Sequence, residues 1–206
     1  MESRLFNRMK VEIQKDKQAE KKENSVLGTL RDLVCLIAGV LLIFSLLFRV
    51  VVVSGPSMND TLVDGDWLLL IGNVLYNEPK QGDIIVASKD SFDDGAPIIK
   101  RVIATEGQTV HIDFNKGIVY VDGVALEEDY ILGATTRWEG VNFPLTVDEG
   151  RVFVMGDNRD VSKDSRSPEI GLIDKREILG RAVFVLMPGT EGGARERDFE
   201  RFGVLS

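Results

Sequence analysis

One serine and one lysine are the residues of this sequence whose settings suggest covalent chemistry. Ser57 lies in VVVSGPSMNDTL, where an almost wholly apolar run gives way to small and polar residues. A serine hydroxyl becomes a nucleophile only when a neighbouring base removes its proton. The single histidine, His111, lies in the alternating stretch QTVHID, which is typical of a residue on a strand face. Lysine is therefore the remaining candidate for the base.

Lys100 is the lysine whose surroundings fit that role. In PIIKRVIATEG, two-residue alternation places Lys100 with Ile98 and Val102 on one face and Arg101 on the other. One of these adjacent cations must then face inward, where burial disfavours the charged ammonium and makes lysine a usable base. A lysine that snorkels from an edge strand is the alternative interpretation. The sequence has no His, Cys and Glu cluster with metal-ligand spacing, so we expect no metal and no cofactor.

A polar stretch, MGDNRDVSKDSRS at 155–167, supplies further candidate site residues. If the stretch is extended, its acids and arginines pair on shared faces as neutral, bidentate units, and two hydroxyls stay available to a partner. The residues are Asp157 with Arg159, Asp164 with Arg166, and the serines Ser162 and Ser165. A calcium loop is excluded, because the sixth position lacks glycine. An isolated polar loop is the other interpretation.

The elements that must position these residues begin with a membrane helix. Residues 33–53 carry one charge, Arg49, over about the 20 residues that cross a bilayer. Eight Lys or Arg residues precede this run, and the first lysine after it is Lys80. This charge bias predicts a single span with residues 1–32 in the cytoplasm and 54–206 outside. A buried helix of a soluble protein is the alternative. Cys35 lies inside the span, so we expect no disulfide in the exported part.

Beyond residue 54 the pattern becomes that of a β domain. Short β-rich runs separated by Gly, Pro, Asp and Asn predict a mainly β fold that is mostly antiparallel. The runs are 67–72, 82–88, 98–107, 108–113, 117–123, 151–157 and 182–188. A hairpin is expected to turn at 115–117, and 89–97 and 124–150 are expected to be long loops. The C-terminal RERDFERFG mixes charges and is expected to be a solvated end.

Composition excludes one class of partner. The 206 residues carry a net charge of −8, and residues 54–206 hold 27 acids against 16 Lys and Arg. Phosphate binding requires clustered positive charge, so we expect no nucleic-acid partner.

The motifs together resemble one family, the bacterial type I signal peptidases. A membrane helix followed by GPSM and TL (55–62), GDIIV (82–86), KRVIATEGQTV (100–110) and GDNRDVSKDSR (156–166) is similar to the family's successive conserved boxes. These enzymes are membrane serine proteases with a Ser/Lys dyad that remove signal peptides. The resemblance covers residues 33 to 187.

The resemblance implies a role for each matching residue. Ser57, followed by Met58, matches the nucleophile, Lys100 matches the general base, and Ser162 matches the hydroxyl that orients the lysine amine. The residues that frame the site match Asp157, Arg159, Asp164 and Arg166. The implied fold is a catalytic domain of coiled antiparallel β-sheets, anchored by one N-terminal transmembrane helix, which binds its substrate as an added strand.

The resemblance also implies the biological setting. The expected reaction is cleavage of exported preproteins after small residues, through an acyl-enzyme and without a cofactor. The expected partners are signal peptides of exported preproteins and the lipid bilayer, with possible proximity to the secretion translocon. The expected location is the cytoplasmic membrane, as a single-pass protein.

Three positions depart from the family pattern. Asp60 stands where proline is common, Val161 where many members have asparagine, and Gly55 where some members have a serine that donates to the oxyanion. The oxyanion hole then has the Ser57 backbone N–H and a second donor that the sequence does not identify. Asp60 raises the alternative of an enzyme that is weakened or specialised for one client.

Two other classes share parts of this pattern. Self-cleaving repressors use the same dyad but cut an Ala-Gly bond, and the only such pair here, Ala38-Gly39, lies in the apolar run. A membrane-anchored β module that only binds is the second alternative. Loss of Ser57 or Lys100 would indicate such a module, and both residues are present.

Overall fold

The computed structural model describes residues 27–89, 92, 95–190 and 197–205. The described residues fall into two compact units that divide after Ser45. Helix α1, Leu27–Leu47, is long and apolar enough to cross a membrane, and its side chains are largely exposed. Every described strand lies beyond α1. The strands are β1 Phe48–Val52, β2 Trp67–Gly72, β3 Ile84–Ser88, β4 Pro97–Thr105, β5 Thr109–Asp113, β6 Ile118–Val121, β7 Val124–Ala125, β8 Leu145–Thr146, β9 Arg151–Met155, β10 Ile173–Asp174, β11 Ile178–Met187 and β12 Gly203–Val204.

The helix limits differ from those predicted. The expected span was 33–53, but α1 covers Leu27–Leu47 and residues 48–52 form β1. Strand β1 pairs antiparallel with β2, with Arg49 opposite Leu70. The run of valines at 50–53 has the branched side chains that favour a strand. An apolar run does not show where a helix gives way to a strand that is also apolar, which is why the sequence misplaced the boundary.

The larger sheet carries the elements of the site. Its strands follow the order β1-β2-β11-β3-β4-β9-β10, with β12 on β11, and every pair is antiparallel. Strand β4 lies between β3 and β9 and is buried over five consecutive residues, 100–104. A strand covered on both faces loses the alternation of buried and exposed residues that a half-exposed strand shows.

The smaller sheet has the order β7-β6-β5-β8. Strands β5 and β6 form the predicted hairpin, closed by backbone bonds from Lys116 and Gly117 to Asp113. Gly117 has a φ of 70°, and a Cβ there would lie 2.6 Å from the Cβ of Ala134, so only glycine fits this turn. His111 is exposed on β5 and contacts the Tyr120 ring, as expected for a residue on a strand face.

Buried apolar side chains form three clusters that fix the sheets. One cluster joins β1, β2, β3 and β11 and also contains Met58 and Leu62 from the loop between β1 and β2. Both side chains are fully buried. Because these two anchors begin and end the five-residue stretch 58–62 that follows Ser57, the core itself holds the candidate nucleophile's loop in place. The mainly β fold with antiparallel sheets and one N-terminal apolar helix is confirmed.

Candidate active site

Ser57 and Lys100 meet although 43 residues separate them in sequence. Ser57 lies in the loop between β1 and β2, and Lys100 lies in β4. The Lys100 Nζ lies 2.9 Å from the Ser57 Oγ and also donates to the Ile99 carbonyl at 2.9 Å. Lys100 is only 5% exposed. The amine is therefore within proton-transfer distance of the serine hydroxyl and is shielded from water.

Burial controls the electrostatics of Lys100. It lowers the pKa of the Lys100 ammonium to about 8, because the charged form loses its hydration. The carboxylates of Asp164 and Asp157 oppose this shift, and the guanidinium of Arg166 adds to it. A substantial fraction of the amine is therefore neutral near pH 8, and a neutral amine can accept a proton.

The Ser57 loop is held on several sides. The Gly55 N–H donates to Asp64 Oδ1 at 2.8 Å, and the Ser57 carbonyl accepts from the Asn158 N–H at 3.1 Å. Gly156 lies directly against this loop, because a Cβ there would be 2.4 Å from the Ser57 carbonyl oxygen. Glycine is therefore required at 156 to let the two loops approach.

Ser162 lies on the same side of Gly156. A Cβ at 156 would be 2.2 Å from the Ser162 Oγ. Ser162 is 1% exposed, and its Oγ has no hydrogen-bond partner within the part of the chain that the structure describes. The Lys100 amine bonds to Ser57 and Ile99, so the expected bond between Ser162 and the lysine amine is not formed in this structure.

The pair of Asp164 and Arg166 forms as predicted. Arg166 Nε and Nη2 bind the two oxygens of Asp164 at 2.8 and 2.9 Å, and both side chains are fully buried. The Asp164 carboxylate also accepts from the Gly156 N–H at 3.0 Å. Arg166 donates further to the carbonyls of Arg159 and Ser162. This pair therefore fixes the loop that lies against the Ser57 loop.

The predicted pair of Asp157 and Arg159 is wrong. Asp157 binds Arg101 at 3.0 and 2.8 Å, whereas Arg159 binds Glu128 and the Thr135 hydroxyl. The reason is local, because 158–161 forms a turn, closed by a bond from the Ser162 N–H to the Asn158 carbonyl, and is not extended. In a turn, residues two apart no longer share a face.

Sequence reasoning also missed several residues that complete the site. Arg101 is 3% exposed, so both adjacent cations are buried, contrary to the expectation that only one would face inward. The cause is that β4 is covered on both faces. The Tyr130 ring covers the Arg101 guanidinium at 4.0 Å, and Thr61 donates to Asp157 at 2.6 Å. Thr61 could have been found from the sequence, because it is the threonine of the TL pair in the first motif. Glu128 and Tyr130 lie in a loop whose sequence has no recognisable pattern.

A cleft of about 540 Å³ opens beside the serine and the lysine. One wall is formed by residues 51–54 and the other by 96–100, with Met58 and Val86 also contributing. Among the described residues, no group of three His, Cys, Asp or Glu side chains is arranged to hold a metal ion. The reactive groups that line the cleft are therefore Ser57 and Lys100, which together can support acyl transfer.

A serine hydroxyl next to a buried lysine amine is the arrangement expected of a serine hydrolase. The family model described as signal peptidase, peptidase S26, matches residues 26–187. The chain therefore belongs to the signal peptidase family, and it is a serine endopeptidase.

The relatives agree with this assignment. Signal peptidase I of Bacillus licheniformis is 34% identical over 184 residues, which cover 85% of this chain and 96% of the relative. The probable signal peptidase I-1 of Synechocystis sp. is 40% identical over 168 residues, 75% of this chain and 81% of the relative. A crystal structure of a signal peptidase I from Enterococcus faecalis V583 aligns with 50% of this chain and 96% of its own, at 30% identity and a TM-score of 0.42.

Proposed function

We propose that this chain removes N-terminal signal peptides from exported preproteins, with Ser57 as the nucleophile and Lys100 as the general base. The observation that carries the proposal is the 2.9 Å contact between Lys100 Nζ and Ser57 Oγ, made by a buried lysine. Burial lowers the pKa of Lys100 to about 8, so the base is available near neutral pH. Family membership supports the choice of substrate.

The proposed reaction proceeds in two steps. Neutral Lys100 takes the Ser57 proton as the Oγ attacks the scissile carbonyl, and the resulting ammonium returns a proton to the leaving amine. The signal peptide then remains as an acyl-enzyme. Water, deprotonated by Lys100, attacks the ester and regenerates Ser57. The Ser57 backbone N–H stabilises the developing oxyanion, next to Gly55.

The proposed roles of the neighbouring residues follow from their positions. Ser162 orients the lysine amine, because its buried hydroxyl has no other partner among the described residues and is free to turn towards Nζ. Asp157, Arg159, Asp164 and Arg166 frame the site, since each is fully buried in an ion pair. All four act by holding the loops, and Asp157, Asp164 and Arg166 also set the field at Lys100.

The proposed substrate lies as an extended strand in the cleft between residues 51–54 and 96–100. Strand β1 is the edge of its sheet, so its outer side can accept a further strand. An extended peptide directs alternate residues to one wall, and the apolar wall beside Ser57 favours small side chains at positions −1 and −3 from the cut.

The proposed location is the cytoplasmic membrane. Helix α1 is long and apolar enough to span it once, and the basic residues before it favour a cytoplasmic N-terminus. Residues 54–206 would then lie on the outer side, where preproteins emerge from the secretion translocon. A signal peptide still held in the bilayer would meet the cleft there.

Incubation of the detergent-solubilised protein with a preprotein tests this proposal. Mass spectrometry of the products should show one cut after a small residue, and Ser57→Ala should abolish it. Thr146→Ala is the matched control, because it removes an exposed hydroxyl from β8 in the smaller sheet. Cleavage by Ser57→Ala at the same bond would remove Ser57 from the mechanism.

A further inference from the structure

The C-terminal segment 197–205 folds back onto the sheet, although its mixed charges predicted a solvated end. The family model stops at residue 187, so this segment lies outside the matched region. Asp198 caps a short 3-10 turn, Phe199–Arg201, by accepting from the Glu200 N–H. Arg201 is the last residue of this turn.

Arg201 makes three hydrogen bonds to the loop between β1 and β2. Its Nη1 and Nη2 bind the two oxygens of Asp66 at 3.1 and 2.7 Å, and Nη2 also donates to the Thr61 carbonyl at 3.2 Å. Asp66 is fully buried and also accepts from the backbone N–H groups of Val63 and Gly189. A bidentate pair with a buried carboxylate restrains both orientation and distance.

Thr61 connects this contact to the proposed nucleophile. Thr61 is four residues after Ser57, and its hydroxyl donates to Asp157 at 2.6 Å. Its carbonyl is held by Arg201 on the other side. The loop that carries Ser57 is therefore fixed both by the residues that frame the site and by the C-terminal segment.

The rest of the segment is packed and paired. The Phe202 ring meets the Phe184 ring edge-on at 5.0 Å, and β12 pairs with β11. The Leu205 N–H donates to the Val183 carbonyl, and its side chain packs on the apolar cluster that contains Met58. Met58 directly follows Ser57, so the segment reaches the Ser57 loop through the core as well as through Arg201.

We propose that residues 198–205 form a strap that positions the nucleophile loop, with Arg201 as its positioning residue. The strap supplies no reacting group. Its function is to keep Ser57 at the distance and angle from Lys100 that proton transfer needs, and it rests on the proposed role of Ser57. Displacement of an attacking group by about 1 Å can lower a rate by on the order of 100-fold.

The first test compares two arginines of the same segment. Arg201→Met should lower kcat by roughly 10- to 100-fold, with KM changed by no more than about 3-fold, because the substrate cleft is not touched. Arg197→Met is the control, since the Arg197 guanidinium binds the Pro188 carbonyl and not the loop between β1 and β2, and the kcat of this variant should stay near that of the wild type. The kcat of Arg201→Lys should lie between these two values, because lysine keeps the positive charge but cannot make the two parallel hydrogen bonds of the guanidinium.

The readouts separate positioning from simple stability. Rates are divided by the folded fraction, and the pH midpoint of kcat should stay unchanged, because Arg201 contacts neither Lys100 nor the acids that shift its pKa. A lower unfolding temperature with a wild-type kcat per folded molecule in Arg201→Met would overturn the proposal. If Arg201→Met does not fold, Arg201→Lys decides, and a wild-type kcat there overturns it equally.

Ser57→Ala in the same assay distinguishes failure of the strap proposal from failure of the proposed function, because that variant addresses the nucleophile alone.

Discussion

Two Asp/Arg pairs of this protein share one geometry and differ in burial, which allows a matched prediction. Arg166 binds Asp164 through Nε and Nη2 at 2.8 and 2.9 Å, and Arg176 binds Asp174 through the same atoms at 2.9 and 2.7 Å. In both pairs the arginine follows the acid by two residues. The side chains are 0% exposed in the first pair, whereas Arg176 is 90% exposed.

Arg166→Met should therefore destabilise the protein far more than Arg176→Met. The first change leaves the Asp164 carboxylate buried without its partner, which costs about 3–5 kcal/mol. At about 2–4 °C per kcal/mol for a domain of this size, the unfolding temperature should fall by roughly 6–20 °C. The second change leaves a carboxylate that water can solvate, so the unfolding temperature should stay almost unchanged.

The same change has a second, electrostatic consequence. Arg166 lowers the pKa of Lys100 and Asp164 raises it. Arg166→Met should raise the Lys100 pKa above about 8, so that less of the amine is neutral at a given pH and the activity midpoint moves to higher pH. Asp164→Asn should move the midpoint to lower pH.

Calorimetry through the transition measures the unfolding temperatures, and the pH dependence of cleavage, followed below those temperatures, measures the shift of the activity midpoint. Equal losses of unfolding temperature in Arg166→Met and Arg176→Met would refute the reasoning from burial. A pH midpoint that moves to lower values in Arg166→Met would refute the reasoning from charge.

Three further changes extend these expectations. Lys100→Met should be inactive yet more stable than the wild type near pH 7. The protonated Lys100 of the wild type destabilises the fold by roughly 3 kcal/mol, because its pKa is near 8 in the folded protein and near 10.5 in the unfolded chain. Denaturant titrations should show that this gain in stability shrinks as the pH rises from 8 to 10.5. Thr61→Val removes the hydroxyl that donates to Asp157, and it should lower kcat by about 10-fold and the free energy of unfolding by about 1 kcal/mol. A kcat equal to that of the wild type would show that this bond does not position Ser57. Preproteins with Leu at both −1 and −3 should be cut at least about 10-fold more slowly than those with Ala, and efficient cleavage of the Leu substrate would contradict the proposed preference for small side chains at these positions.

The sequence was sufficient for the parts of the fold that follow local rules. Alternation and turn residues predicted the hairpin at 115–117 and the strands β2, β3, β4, β5, β6, β9 and β11, because their signals lie within a few residues. The two-residue strands β7, β8, β10 and β12 are too short to show such a pattern and were not predicted. The buried pair of Asp164 and Arg166 was predictable for the same reason, since the two residues are neighbours on one short segment. The roles of Ser57 and Lys100 were predicted from the residues around each of them in the sequence and from the resemblance of their motifs to those of the family.

The remaining features depend on contacts between distant segments. Arg159 binds Glu128, 31 residues away, in a stretch with no pattern that marks it. Arg101 is buried because β4 is central in its sheet, and strand order cannot be read from alternation. Arg201 was assigned to a solvated end, because mixed charges do not reveal a buried partner such as Asp66. The end of α1 was misplaced because β1 is as apolar as the helix before it.

The measurement that tests the central proposal most directly is the single-turnover rate of acylation as a function of pH. For the wild type, the rate should rise with pH through one ionisation near 8, because only neutral Lys100 can take the Ser57 proton. Lys100→Arg should be inactive at every pH, since a guanidinium does not deprotonate, whereas Lys116→Arg, a change at an exposed lysine, should match the wild type. Near-normal acylation by Lys100→Arg would contradict the account and leave Ser57 without its base.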